Sequence, residues 1–187
     1  MITTTLNRIR AHKPCVDGWS KLLAGLGKKR PDDEPLPYAT ILCINGLEDA
    51  LWATRVEPEY AKEWRLFAIW CARRVQHFMA DPRSIAAIDV AERYAHGEAS
   101  DGELYAARDA AWGTTRGPPR AAAWAAARDA AWDAAWAAAQ GVAWAAAQGA
   151  AQGAAWAAAW GTTRGSARDA ERAAQTAEFL RVVGGAA

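Results

Sequence analysis

From Ala106 to Ala173 the chain is written in blocks of four residues, beginning Ala-Ala-Arg-Asp, Ala-Ala-Trp-Gly, Thr-Thr-Arg-Gly, with Trp, Arg or Gln at the third place of every block from Arg108 to Arg172. An α-helix turns every 3.6 residues, so the third-place side chains advance by about 40° per block around a helix axis. Over Trp124, Arg128, Trp132 and Trp136 the stripe drifts by about 120°, which one partner surface still covers. Over the whole tract it circles the helix, so the tract must wrap or break. A repeat longer than 3.6 favours right-handed wrapping. Breaks have their own signals: Pro118 and Pro119 in succession fit only a helix start, and Gly161–Gly165 repeats the first five residues of the breaker at Gly113–Pro119. Ala is the strongest helix former, so the expected outcome is several short antiparallel helices, with Ala permitting close approach and Trp filling the space between them.

The rest of the chain follows different rules. Residues 1–104 have a mixed composition and carry most of the Leu, Ile, Val and Phe, whereas 105–187 hold 35 Ala and seven of the 11 Trp. The chain is therefore expected to comprise an N-terminal helical domain, 1–104, and an Ala/Trp region, 105–187, packed on it as a bundle or array. Asp17–Gly27 reads as a helix, acidic at its start and closed by Gly. Lys28–Pro37 reads as a loop. Tyr38–Asn45 is an apolar run that suits a helix better than a strand, since a lone strand has no partner. Over Glu59–Ala80, Tyr60, Trp64, Phe67, Cys71, Val75 and Phe78 fall on one helical face. Asp81-Pro82 supplies an N-cap and a Pro at the first helical position, opening a helix that Ile85, Ile88 and Ala91 bury. Ser100 and Glu103 match a capping box for a helix entering the repeat tract. The fold class is all-α.

The formal charge of +1 excludes the basic footprint of a dedicated duplex-DNA binder and the acidic one of a nucleic-acid mimic. Met1–Arg10 has no apolar run of a secretory leader, and three Cys suggest no disulfide framework, so a cytoplasmic location is expected. Ala134–Thr163 is uncharged, but its Trp, Gln and Gly drive insertion weakly, and no membrane span is expected.

Candidate chemistry is sparse. His12 with Cys15 has a spacing possible for zinc and Cys71 with His77 a looser one, neither pair is accompanied by the glycine-rich elbow or orienting group of a thiol nucleophile, and no cofactor is expected. Arg65, Arg73, Arg74, Arg83 and Arg93 fall on consecutive helices and could converge on an acidic surface, or pair with Glu63, Asp89 and Glu92. Trp interleaved with Arg in the tract could stack a nucleotide, although core packing is the leading reading for most of those rings.

The stretches His12–Trp19, Asp32–Leu36, Asn45–Trp52, Arg65–His77, Asp81–Ser84 and Ala91–Ala95, an Ala-Ala-Trp/Arg-Asp tract and the ending Gln175–Leu180 together resemble a set of bacterial and phage proteins of the immunity-protein-5-like family. The resemblance covers nearly the whole chain. It carries no catalytic residues to transfer, and it implies a protein that binds and neutralises another macromolecule in toxin–immunity or phage–host conflict. The expected function is thus a non-enzymatic inhibitor of a protein partner, a toxin or defence-system component. Its expected contact residues are Arg65, Arg73, Arg74, Trp124, Arg128 and Trp132, since Trp and Arg dominate interface hot spots. The second reading is a nucleotide-sequestering protein. Ala/Trp faces left over after packing would favour a homo-oligomer.

Overall fold

A computed structural model of the protein describes residues 1–79, 81–112, 152 and 166–185. Among these the architecture is all-α, apart from a two-residue pairing of β1 (Thr3–Thr4) with β2 (Leu36–Pro37), antiparallel and with Thr3 opposite Pro37. The helices are α1 (Leu6–Ala11), α2 (Val16–Gly25), α3 (Tyr38–Asn45), α4 (Leu47–Ala53), α5 (Ala61–Arg74), α6 (Pro82–Ala95), α7 (Asp101–Trp112) and α8 (Ser166–Gly184). No described helix is long and apolar enough to cross a membrane. The breaks expected at Gly113–Pro119 and Gly161–Gly165, and Trp124, Arg128 and Trp132 with them, lie outside the described residues.

The chain forms two compact units, Met1–Pro58 with Thr176–Ala187, and Glu59–Gln175. The composition change at 104/105 falls within the continuous helix α7. In the first unit, Leu6, Ile41 and Leu51 are fully buried, each contributing roughly 1.5–3 kcal/mol. Tyr38 anchors this core at both ends. Its ring meets Phe179 edge-on at 6.4 Å, and its hydroxyl donates to the Ala53 carbonyl at 2.8 Å. The Ile2 amide donates to the Val183 carbonyl, joining the N-terminal strand to the end of α8. Glu57, fully buried, is held by Arg8 at 2.6 Å.

The apolar run Tyr38–Asn45 is a helix, and the residues just before it supply the strand that pairs with the Thr run at the N-terminus. Between α3 and α4 stands a single residue, Gly46, with φ +94° and ψ 176°. That conformation is essentially closed to residues with a Cβ, so glycine alone allows two helices to follow one another here without a loop.

In the second unit the helix expected over Glu59–Ala80 is shorter. Pro58–Tyr60 and Gln76–Phe78 are 3₁₀ turns, and α5 ends at Arg74 because the buried, β-branched Val75 leaves α geometry (φ −107°, ψ 6°). The apolar face is buried at Trp64, Phe67, Cys71 and Val75. Asp81 caps α6 through the Arg83 amide, with Pro82 in the first turn. α6 packs on α5 and α7, and Ala107 and Ala111, the first alanines of the repeat tract, meet Ala87 there with no bulk to hold the helices apart. The capping box closes at the start of α7: Ser100 Oγ accepts from the Glu103 amide, and Glu103 Oε2 accepts from the Ser100 amide at 2.9 Å.

The Ser100 amide first, then Arg93 and the Ser100 hydroxyl, hold the Glu103 carboxyl down to about 2 from its ordinary 4.5. A depressed acid stabilises the fold above its unfolded pKa, and that stabilisation is lost as pH falls from about 4.5 towards 2. A side-chain carboxyl NMR titration should give a Glu103 midpoint near 2, and Glu103→Gln should remove the corresponding pH dependence of stability. Urea denaturation should show Gly46→Ala losing about 1–3 kcal/mol. Gly102→Ala, with only the Ser100 hydroxyl near its Cβ, should be neutral or stabilising.

Candidate ligand cavity

Two glycine-containing motifs, Cys15–Trp19 and Asn45–Trp52, meet in the first unit. Cys15 is the N-cap of α2, its Sγ accepting from the Gly18 amide at 3.4 Å. Asn45 closes α3, and its Nδ2 donates to the Gly18 carbonyl at 2.8 Å and to Asp49 Oδ2 at 2.7 Å. Its Oδ1 is buried without a hydrogen-bond partner. This amide ties α2 to α3 and α3 to the first turn of α4. Gly18 is needed for the approach, because a Cβ there would stand 2.7 Å from Asp49 Oδ2 and 3.1 Å from Cys15 Sγ.

Behind this polar corner lies a partly open cavity of about 110 Å³. The indoles of Trp19 and Trp52 wall it together with Ile9, Leu22, Ile41 and Ala53. Arg55 stacks on Trp52 at 4.3 Å and donates from Nε to its carbonyl, which fixes that ring; burial lowers the Arg55 guanidinium pKa. A space of this size, mostly apolar and rigidly framed, admits one hydrophobic side chain or a benzene-sized group.

The expected arginine face makes ion pairs within the second unit, with Arg73 32% and Arg74 40% exposed. Arg73 donates to Gln76 Oε1 and pairs with Asp89 at 2.7 Å and with Glu92. These acids are two of the three salt-bridge partners that the sequence offered. Arg74 reaches both oxygens of Glu171, at 3.1 and 2.8 Å, and lies over Trp70; Glu171 is only 6% exposed and also accepts from Gln175. Arg65 lies 5.6 Å from the Tyr94 ring centre, its Nε buried and without a hydrogen-bond partner. Arg83 pairs with Asp81, and Arg93 with Glu103. Trp124, Arg128 and Trp132, the remaining expected contact residues, are outside the described residues.

The two thiol–imidazole pairs lie in different surroundings. Cys15 is engaged as a cap while His12 is exposed at the end of α1, and Cys71 is buried whereas His77 is exposed. Among the described residues no three His, Cys, Asp or Glu side chains gather to hold a metal ion. No family model, curated protein or solved structure matches this chain.

The cavity escapes a sequence reading that ranks positions by charge. Its signal was two motifs that each place a glycine beside a short polar residue and end in Trp, Asp17-Gly18-Trp19 and Asn45-Gly46 through Trp52. Glu171 is almost completely buried while Arg74 is 40% exposed, so Arg74→Ala, which takes the guanidinium from a buried carboxylate, should destabilise the protein by about 1 kcal/mol or more in urea. Replacing Arg74 and Glu171 together by Met and Leu should cost less than that single change.

Proposed function

We propose that this chain is a non-enzymatic binding protein that neutralises a macromolecular partner in the cytoplasm, a toxin or defence-system component of the kind the immunity-protein resemblance implies. The partner seats one apolar side chain in the Trp19–Trp52 cavity. What supports this reading is the cavity's construction: about 110 Å³ of mostly apolar space, framed by two Trp and a hydrogen-bonded polar corner. Interface anchors are side chains of that size entering preformed pockets, and Trp-lined pockets give the largest hot-spot energies. Cys15, Cys43 and Cys71 are free thiols, in keeping with a reducing compartment.

Ala53→Leu tests the reading, because Ala53 borders the cavity and the larger side chain fills it from within. Filling a void is expected to hold or raise Tm. Co-purification from the native host should then recover a stoichiometric partner with the wild type and about thirtyfold weaker binding with Ala53→Leu, the loss of one anchor. A partner retained at equal affinity by Ala53→Leu would overturn the reading.

A further inference from the structure

Trp19 also borders a second, wider concavity of about 370 Å³ in the same unit. Its rim carries Arg10, Lys13 and Lys29, its apolar surface includes Leu23 and Pro31 beside Trp19, and no acid among the described residues lines it. None of the three cations makes a side-chain hydrogen bond or ion pair among the described residues. Lys28, adjacent to Lys29 in sequence, is the contrast: Asp32 holds it at 2.7 Å and Glu34 at 2.6 Å. Asp32 and Glu34 thus pair with Lys28 and not with Lys29. Lys13 is held at φ +55°, a left-handed conformation that favours Gly or Asn, by the turn in which its amide donates to the Arg10 carbonyl. That turn sets the second cation beside the first.

Three like charges around one concavity repel one another and have no ion-pair partner among the described residues, so the cleft is electrostatically complementary to a compact polyvalent anion. Its volume is that of a small-molecule site, and its lining joins the cations to an indole. We propose that this cleft binds a small organic phosphate bearing a planar ring, of the nucleoside polyphosphate class, with the phosphates against Arg10, Lys13 and Lys29 and the ring on the apolar surface at Trp19. A guanidinium and two ammonium groups suit clustered phosphate oxygens better than the carboxylates of a peptide, which the backbone spaces apart. The inference stands on residues other than those of the cavity's polar corner, and its failure leaves the protein-binding reading in place.

The test is a ¹H–¹⁵N NMR titration of the full chain at low salt with ATP, inorganic tripolyphosphate and a hexaglutamate peptide. ATP should shift the amides around Arg10–Val16 and the Trp19 indole with a submillimolar Kd, tripolyphosphate should bind the same residues more weakly, and hexaglutamate more weakly still. Lys13→Gly removes one cation and relieves the left-handed strain, so Tm should hold or rise while ATP binding weakens about tenfold. Lys28→Gln, which removes a cation the chain already neutralises, should leave ATP binding unchanged. No shift at millimolar ATP, shifts centred elsewhere, or wild-type affinity in Lys13→Gly would overturn the proposal. Tripolyphosphate binding as tightly as ATP would overturn the role of the ring, and hexaglutamate binding more tightly than ATP would assign the cleft to an acidic protein segment instead.

Discussion

The side-chain amide of Asn45 is the interaction on which the first unit's site depends. Its two N–H groups are divided between the Gly18 carbonyl of α2 and the Asp49 carboxylate of α4, while Asn45 itself ends α3. Three helices are thereby held by one planar group whose two donors cannot be moved independently. The backbone makes this attainable in two places: Gly46 turns α3 directly into α4 at positive φ, and Gly18 has no Cβ to keep Asp49 away. Because the helices are spaced by hydrogen bonds at this corner, the apolar side chains behind it do not close on one another. The space between Trp19 and Trp52 is what remains.

Charge tells a different story in each unit. In Glu59–Gln175, Arg73 and Arg74 of α5 are matched by acids of α6 and α8, and Arg74 answers a Glu171 that is almost completely buried. Such pairs tie the helices to one another. In Met1–Pro58 with Thr176–Ala187 the half-exposed Arg8 pairs with the buried Glu57, yet Arg10, Lys13 and Lys29 face a cleft that no acid among the described residues lines. Net charge near neutrality is therefore the sum of a balanced interior and a local excess, and the excess is where electrostatics bears on ligands.

Much of the helical structure was legible from period and caps. The spacing of Trp64, Phe67, Cys71 and Val75, the Asp81–Pro82 start and the Ser100–Glu103 box each rest on interactions between near neighbours, which sequence displays directly. The ends of α5 were not legible, because Val75 leaves the helix only when its side chain is drawn into a core. The β1–β2 pairing joins Thr3–Thr4 to Leu36–Pro37 across more than thirty residues, and no local pattern announces it. The cavity was hidden for the same reason: Cys15–Trp19 and Asn45–Trp52 stood out as motifs, but only the Asn45 bonds bring them together. The arginines of α5 drew attention because Arg is conspicuous in a sequence, while the acids that engage them sit on other helices.

The central claim is that a side-chain-sized apolar space stands open between Trp19 and Trp52 before any partner arrives. Xenon enters rigid apolar cavities of this kind and leaves collapsed or hydrated ones empty. Diffraction from crystals of the wild-type protein under xenon pressure should show a xenon atom between the two indoles, in contact with Leu22 and Ile41. Indoles packed against each other with no xenon between them would contradict it.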